Sequence, residues 1–303
     1  MVNGVTRVVS FAAGCSGAFG LWFQWGPPGI VGTDPAQPAK EDTMPRTSVI
    51  TGAASGIGKA TKELLEQRGE RVIGVDLHDA EVVADLSTAE GRGALVDAVR
   101  EVSGGRIDAV YAVAGLAIPA PATVAVNFFG TVASIEGLRP LLAGSEAPRA
   151  VVVSSMAALM ASDDELVALL TDGDEPAAMD RAQVLAKEPS TTGQLIYAST
   201  KVALSRWVRR KAATAEWAGA GIPLNAVAPG VIATPMTADL IDTEEERESL
   251  LKVVPMPLNG IAEPIVVARL LAWLNSAENT HLCGQIVYVD GGSDAVLRGD
   301  SVW

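Results

Sequence analysis

From Arg46 onward the chain alternates two hydrophobic periods. Short runs dominated by β-branched and aliphatic residues, "TSVITG", "RVIGVD", "IDAVYAVAG", "RAVVVSS", "PLNAVAPG" and "GQIVYVDGG", are apolar at nearly every position. Between them lie "GIGKATKELLEQRG", a stretch around 126–142, and another from about Tyr197 to Ala218, in which apolar residues recur every three or four positions. Runs without polar alternation predict strands covered on both faces, and their alternation with amphipathic helices predicts an α/β fold with a doubly wound parallel sheet. One segment breaks the rhythm. Residues 156–196 carry two helical patterns of their own: Ser162 with Glu165 reads as a capping box opening "ELVALL", and Asp174 before Pro176 suits the start of a second helix. A helical flap inserted before Tyr197 is therefore expected.

The first 43 residues have a different texture, an apolar but Gly-rich stretch followed by the Pro-rich "GPPGIVGTDPAQPAKED". They predict an N-terminal extension, either disordered or an over-extended start with translation beginning at Met44, with an export or anchor segment as the lesser alternative. The stretch is broken by glycines, serines and a glutamine, so no membrane span is expected and the cytoplasm is the default location. Hydrophobic residues make up 49% of the 303 and charged residues 19%, enough to build a core and too apolar for a disordered chain. The net charge of -13 argues against nucleic acid or an anionic membrane as partner. Only Cys15, Cys283, His78 and His281 could serve as soft ligands, and none are at ligand spacing, so no metal is expected.

Three features carry chemistry. "VITGAASGIGKA" places Gly52, Gly56 and Gly58 where the first strand turns into the first helix, so a pyrophosphate could sit on backbone amides at the helix N-terminus in a Rossmann-type arrangement. Asp76 ends the next strand, at the distance where a carboxylate meets ribose hydroxyls; it would repel a 2′-phosphate, and no Arg or Lys at 53–57 or 77–78 offsets it. Tyr197 and Lys201 in "YASTK" lie four apart and share one helix face, where an ammonium would lower the pKa of the phenol and make a general acid/base. Each feature alone also fits a structural role: glycines in an ordinary turn, a solvated strand-end charge, a surface Tyr and Lys.

Together, "TGAASGIG", "VNFFG", "VVSSM", "YASTK" and "NAVAPGVIATP" occur in the order found in the short-chain dehydrogenase/reductase family, and the resemblance covers essentially all of 44–303. It implies a single dinucleotide-binding catalytic domain over those residues. It also implies a catalytic set of Asn127, Ser155, Tyr197 and Lys201, with Asn127 holding a water that links Lys201 to solvent. Tyr197 and Lys201 also contact the cofactor, NAD. Ser55, Ile57, Asp85 and Leu86 join Gly52, Gly56, Gly58 and Asp76 in the implied cofactor set, with Ala114 and Gly115 passing the adenosine. Pro229, Gly230, Val231 and Thr234 complete it, the Val231 backbone and Thr234 hydroxyl fixing the carboxamide. The family's N-N-A-G is here "AVAG", so Ala112 and Val113 lose a sheet-bracing hydrogen bond. The long flap, "GVDLHDAEVVADLSTAEGR" and "DGGSDAVLR" resemble the bacterial 3α-hydroxysteroid dehydrogenase/carbonyl reductase branch.

The resemblance implies an NAD-dependent oxidoreductase that interconverts a secondary alcohol and a ketone on a bulky apolar substrate, with a 3-hydroxysteroid leading. The "MAALMA" and "LVALL" residues of the flap are expected near the substrate oxygen, opposite Val231, Ile232, Met236 and Leu240, with Asp163, Asp164, Asp172 and Asp174 in water. The alternative for the flap is that its apolar residues only pack it onto the core. Alternative functions are a dehydrogenase of a smaller cyclic or terpenoid alcohol, a non-catalytic NAD-sensing regulator, and an enoyl reductase or epimerase. Because the flap should obstruct a subunit contact common in the family, a homodimer is expected, pairing through the last strand and the tail.

Overall fold

The computed structural model describes residues 45–302, so the predicted N-terminal extension lies outside the described residues. Seven parallel strands form one sheet: β1 Thr47–Thr51, β2 Arg71–Asp76, β3 Val82–Val83, β4 Ala109–Ala112, β5 Arg149–Val153, β6 Leu224–Pro229 and β7 Ile286–Val289, in the order β3-β2-β1-β4-β5-β6-β7. Six of these are the predicted runs; β3, two residues long, pairs only with the end of β2 and is too short for periodicity to reveal. Adjacent residues on a strand serve opposite faces. Val49, Val110 and Val152 join one core with helices α2 (Ala89–Val102), α4 (Thr131–Leu138) and α7 (Gly193–Lys211). Ile50, Tyr111 and Val151 join the other with α1 (Gly56–Gln67) and α9 (Pro264–Leu274). This two-sided burial is why the runs carry no polar alternation. No helix among the described residues is long and apolar enough to cross a membrane.

The order reverses between β1 and β4, since the chain leaves β1 toward β2 and β3 and returns to β4 on the other side. At such a switch point the loops leaving adjacent strands diverge and open a crevice. Thr51 spans it: its Oγ1 accepts the N–H groups of Val113 and Ala114 at 3.1 and 3.2 Å, bracing β1 to the end of β4 where "AVAG" has no asparagines.

Three helical expectations need correction. The helix bearing Tyr197 starts four residues earlier, at Gly193, and ends at Lys211 rather than Ala218, with Arg209, Arg210 and Lys211 complementing its C-terminal dipole. The stretch around 126–142 is not one helix: α3 (Pro121–Val124) runs into a π-helix (Ala125–Gly130), then α4, then a 3₁₀ turn over Arg139–Gly144 that Pro140 helps initiate. The flap consists of α5 (Asp164–Asp172) and α6 (Glu175–Leu185), with Asp174 capping α6 as expected, but α5 is capped by Asp163, whose Oδ1 accepts the Leu166 N–H at 2.8 Å. Asp163 is therefore not a solvated charge. The Arg181 guanidinium grips it at 3.0 and 2.6 Å and holds its carboxyl below the usual carboxylate range.

The apolar face of the flap is Leu166, Val167, Leu170, Ala178, Ala182 and Leu185, all buried; α5 packs on α7, and α6 on α3 and α7. Arg92 of α2 clamps the start of α6 through Glu175 at 3.0 and 2.5 Å. Two further helices, α8 (Glu244–Val253) and α10 (Ser293–Arg298), follow β6 and β7.

Candidate active site

A cleft of about 500 Å³ opens at the carboxyl ends of β1, β2, β4, β5 and β6, where the glycine loop, Asp76, Ser155, Tyr197 and Lys201 all contribute to its wall. The glycine loop is built by close approach. A Cβ on Gly58 would lie 1.9 Å from the Gly52 carbonyl oxygen, and Gly52, with φ of +72°, leaves only 2.9 Å to the Ala114 backbone. No other residue lets α1 start so near the strand. The N-cap of α1, Ser55, makes no side-chain capping bond, so the first-turn amides of Gly56, Ile57 and Gly58 lack side-chain partners at the positive end of the helix. This arrangement is suited to an anion, and the cradle fits a dinucleotide pyrophosphate.

At the far end Asp76 is fixed by two backbone donors, with the Ala54 N–H on Oδ2 at 2.9 Å and the Leu77 N–H on Oδ1 at 2.7 Å. Each oxygen keeps a further lone pair for a ligand. Asp85 and Leu86 close this end; hydrogen bonds from Ser87 keep the Asp85 carboxyl below its usual range. Ala114 and Gly115 form the floor between the two ends.

The chemistry-bearing groups meet at the other end. Ser154 turns into the protein, its hydroxyl 2.8 Å from Ser205 Oγ and 3.3 Å from the Lys201 carbonyl oxygen, while Ser155 faces Tyr197 and accepts the Ala157 N–H at 3.1 Å as the cap of a 3₁₀ turn. Strand alternation thus separates the two serines as expected. Lys201, nine-tenths buried, donates to the Val153 carbonyl oxygen at 2.9 Å and lies 5.5 Å from the centre of the Tyr197 ring. Burial lowers its pKa from 10.5 to about 8.

The expected depression of the Tyr197 pKa is not found. Burial raises the phenol above its ordinary value and outweighs the opposing Ser155 hydrogen bond. The Lys201 ammonium, directed at Val153, does not reverse this.

Asn127 is fully buried behind the floor, not on the cleft wall. Its Oδ1 accepts the Leu116 N–H at 2.7 Å and its Nδ2 donates to the Leu116 carbonyl at 2.8 Å, a two-point clamp on the loop after β4. The π-helix places it there by setting one extra residue before α4. Gly115 leaves a gap between Asn127 and Lys201: a Cβ there would lie 3.3 Å from Asn127 Oδ1 and 3.9 Å from Lys201 Nζ.

Pro229, Gly230 and Thr234 line the cleft, but Val231 does not. It packs into an apolar cluster with Met156, Val254 and Met256, and its N–H points to the Met256 sulfur. Ile232 takes the place expected of Val231: it lines the cleft, its C=O accepts the Thr237 hydroxyl, and its N–H has no hydrogen-bond partner among the described residues. The one-residue offset follows from the bridge between Ile232 and Ala262: Val231 and Ala233 bond the 262 backbone, so the peptide groups of Ile232 face the opposite way, into the cleft. Leu116, Ala122 and Val126 also line the cleft; they carry no motif and enter the wall through the fold.

The flap does not line the cleft. No residue between Ser155 and Tyr197 contributes to its wall, and the "LVALL" residues are consumed in packing against α7. The structural alternative for the flap is the correct one there. Met236, about half exposed, does line the cleft mouth, while Leu240 lies outside it.

Comparison with known proteins agrees with this architecture. The family model described as short chain dehydrogenase matches residues 46–166, and the one described as enoyl-(acyl carrier protein) reductase matches residues 177–294. The 3-alpha-hydroxysteroid dehydrogenase/carbonyl reductase of Comamonas testosteroni is 39% identical over 259 residues, covering 82% of this chain and 97% of that protein. The cis-4-hydroxycyclohexanecarboxylate dehydrogenase of Sinomonas cyclohexanicum is 31% identical over 270 residues, covering 83% and 97%. Among solved structures, the 3-alpha-hydroxysteroid dehydrogenase from Pseudomonas sp. B-0831 complexed with NADH is similar with a TM-score of 0.76 and 37% identity, covering 84% of this chain and 99% of that one. The chain belongs to the short-chain dehydrogenase/reductase family, whose members act on hydroxyl and carbonyl groups, and is an oxidoreductase of that type.

Proposed function

We propose that the protein interconverts a secondary alcohol and its ketone with NAD(H), on a bulky, apolar, uncharged substrate of which a 3α-hydroxysteroid is the leading example. The observation that carries this reading is the convergence of Ser155, Tyr197 and Lys201 at one end of a cleft whose other end holds Asp76. Bound NAD would supply the hydride acceptor and donor at its nicotinamide ring. The glycine loop and the start of α1 would hold the pyrophosphate, Asp76 the adenosine ribose, and the free Ile232 N–H with the Thr234 side chain the carboxamide.

In ketone reduction the neutral Tyr197 phenol gives its proton to the substrate oxygen, to which the Ser155 hydroxyl also donates a hydrogen bond; in alcohol oxidation the phenol first passes its own proton toward solvent by way of Lys201, and the phenolate then takes the substrate hydroxyl proton. Lys201 holds the nicotinamide ribose, and its charge supports the phenolate as proton transfer proceeds. Asn127 shapes the gap beside Lys201 by clamping Leu116, which leaves room for a water on the path to solvent.

NAD over NADP is supported by Asp76 and by the relative solved with NADH. Among the cleft-lining residues Lys201 is the sole cation, so a carboxylate or phosphate on the substrate would find no dedicated partner. This favours a neutral substrate, and Met236 offers it adaptable apolar surface. The cyclohexane-ring relative supports a second reading, a smaller cyclic alcohol.

The test is a panel assay with NAD⁺ and NADP⁺, following the appearance of reduced cofactor. A 3α-hydroxysteroid should give a higher kcat/KM than cyclohexanol or a short linear alcohol, with NAD⁺ preferred. A win for cyclohexanol would select the smaller cyclic alcohol; no turnover of any alcohol would support the NAD-sensing alternative.

A further inference from the structure

We propose that Met256 is a positioning residue for the nicotinamide end of the cleft, its thioether acting as the hydrogen-bond acceptor that sets the Pro229–Ile232 turn. This rests on the reading above, in which Ile232 and Thr234 hold the carboxamide. The Val231 N–H lies 3.2 Å from Met256 Sδ, and that sulfur is its acceptor in the structure. The neighbouring groups are committed elsewhere. The Val231 carbonyl accepts the Ala262 N–H at 3.1 Å, and the Ala233 N–H donates to the Ala262 carbonyl at 2.9 Å. With 231 and 233 tied on one side, the peptide groups of Ile232 must face the other side, the cleft.

The side chain of Met256 is threaded into place by two glycines. A Cβ on Gly230 would lie 3.0 Å from both Sδ and Cε of Met256, and a Cβ on Gly291 would lie 3.1 Å from its Cβ. Met256 is nine-tenths buried, in an apolar cluster with Met156, Val231 and Val254. A thioether is a weak acceptor where water competes. In a dry apolar box it is the remaining partner for a donor that would otherwise be orphaned, and an orphaned buried donor drives the backbone to rearrange. Leucine would fill a similar volume and offer no acceptor, so the peptide between Gly230 and Val231 would lose its anchor, and the Ile232 N–H would be held only from the Ala262 side of the turn.

The experiment compares NADH with ADP-ribose, which has the same adenosine, pyrophosphate and second ribose but no nicotinamide. Dissociation constants for both are measured by calorimetry in the native protein, in Met256→Leu and in Met256→Gln, whose amide oxygen can replace the sulfur as acceptor. Met256→Leu should weaken NADH by about fivefold and leave ADP-ribose within about twofold, and Met256→Gln should restore most of the NADH affinity. Equal weakening of the two ligands, or no weakening of either, would overturn the proposal, because a merely structural role does not discriminate between them. Equal affinity of the native protein for NADH and ADP-ribose would instead overturn the carboxamide reading itself. If Met256→Leu does not fold, protein with norleucine in place of methionine keeps the side-chain length without the sulfur and is read by the same ratio.

Discussion

Burial drives Lys201 and Tyr197 toward their neutral forms by opposite pKa shifts, and the same shifts predict how pH acts on the molecule. The folded protein releases the Lys201 proton near pH 8, whereas the unfolded chain keeps it to about 10.5. Between those values the unfolded state binds more protons, so stability rises with pH, by at most about 1.4 kcal/mol per unit from this group. Tyr197 acts in the reverse sense: its folded value lies above 10, and the stability it lends is lost as pH rises past 10. Urea unfolding between pH 7 and 10 should therefore show the native protein gaining stability relative to Lys201→Met; a constant difference would show that the ammonium is not desolvated. Asp76 is the second residue with a clear test. Its removal deletes two acceptors for ribose hydroxyls and frees the Ala54 and Leu77 amides. Asp76→Ala should lose about 2 kcal/mol of NAD binding, roughly a thirtyfold rise in KM, and narrow the gap to NADP⁺. An unchanged cofactor ratio would remove Asp76 from the ribose site.

The flap is where sequence and structure part most clearly. Its two helices and the Asp174 cap are legible because capping chemistry is local. Which way the helices face is not: the apolar stripe Leu166, Val167 and Leu170 fits a substrate wall and a packing face equally well, and only the placement of α7 decides. The six long strands are likewise legible from runs such as "RVIGVD", whereas the π-helix that buries Asn127 has no local signature. The Val231 and Ile232 offset depends on a bridge to Ala262, 30 residues on, which a motif cannot show. The structural role of the flap has a direct consequence. Asp163→Ala removes a helix cap and half of a partly buried ion pair, and should cost about 2 kcal/mol, a fall in Tm of several degrees. Its kcat/KM ratio between a steroid and cyclohexanol should stay as in the native protein. A changed ratio with unchanged Tm would return the flap to the substrate site.

On the scale of the whole molecule, the flap packs on α7, and β7 remains an edge strand whose residues are only partly buried. Nearby, Val266 and Trp273 of α9, one face of that helix, are about 40% exposed, as are Val296 and Leu297 of α10 or more so. Pairing through this side around a two-fold axis would give a dimer, so light scattering should report about twice 31.3 kDa; a stable tetramer would refute that arrangement. The proposed function has this architecture deliver one proton beside one hydride. It is tested most directly by oxidation of a 3α-hydroxysteroid with NAD⁺ in the native protein and in Tyr197→Phe, with NADH affinity measured alongside. The phenylalanine variant should lose at least about 100-fold in kcat while binding NADH within about twofold of the native protein. If Tyr197→Phe kept more than about a tenth of the native activity, the proton would be carried by another group and the account would be contradicted.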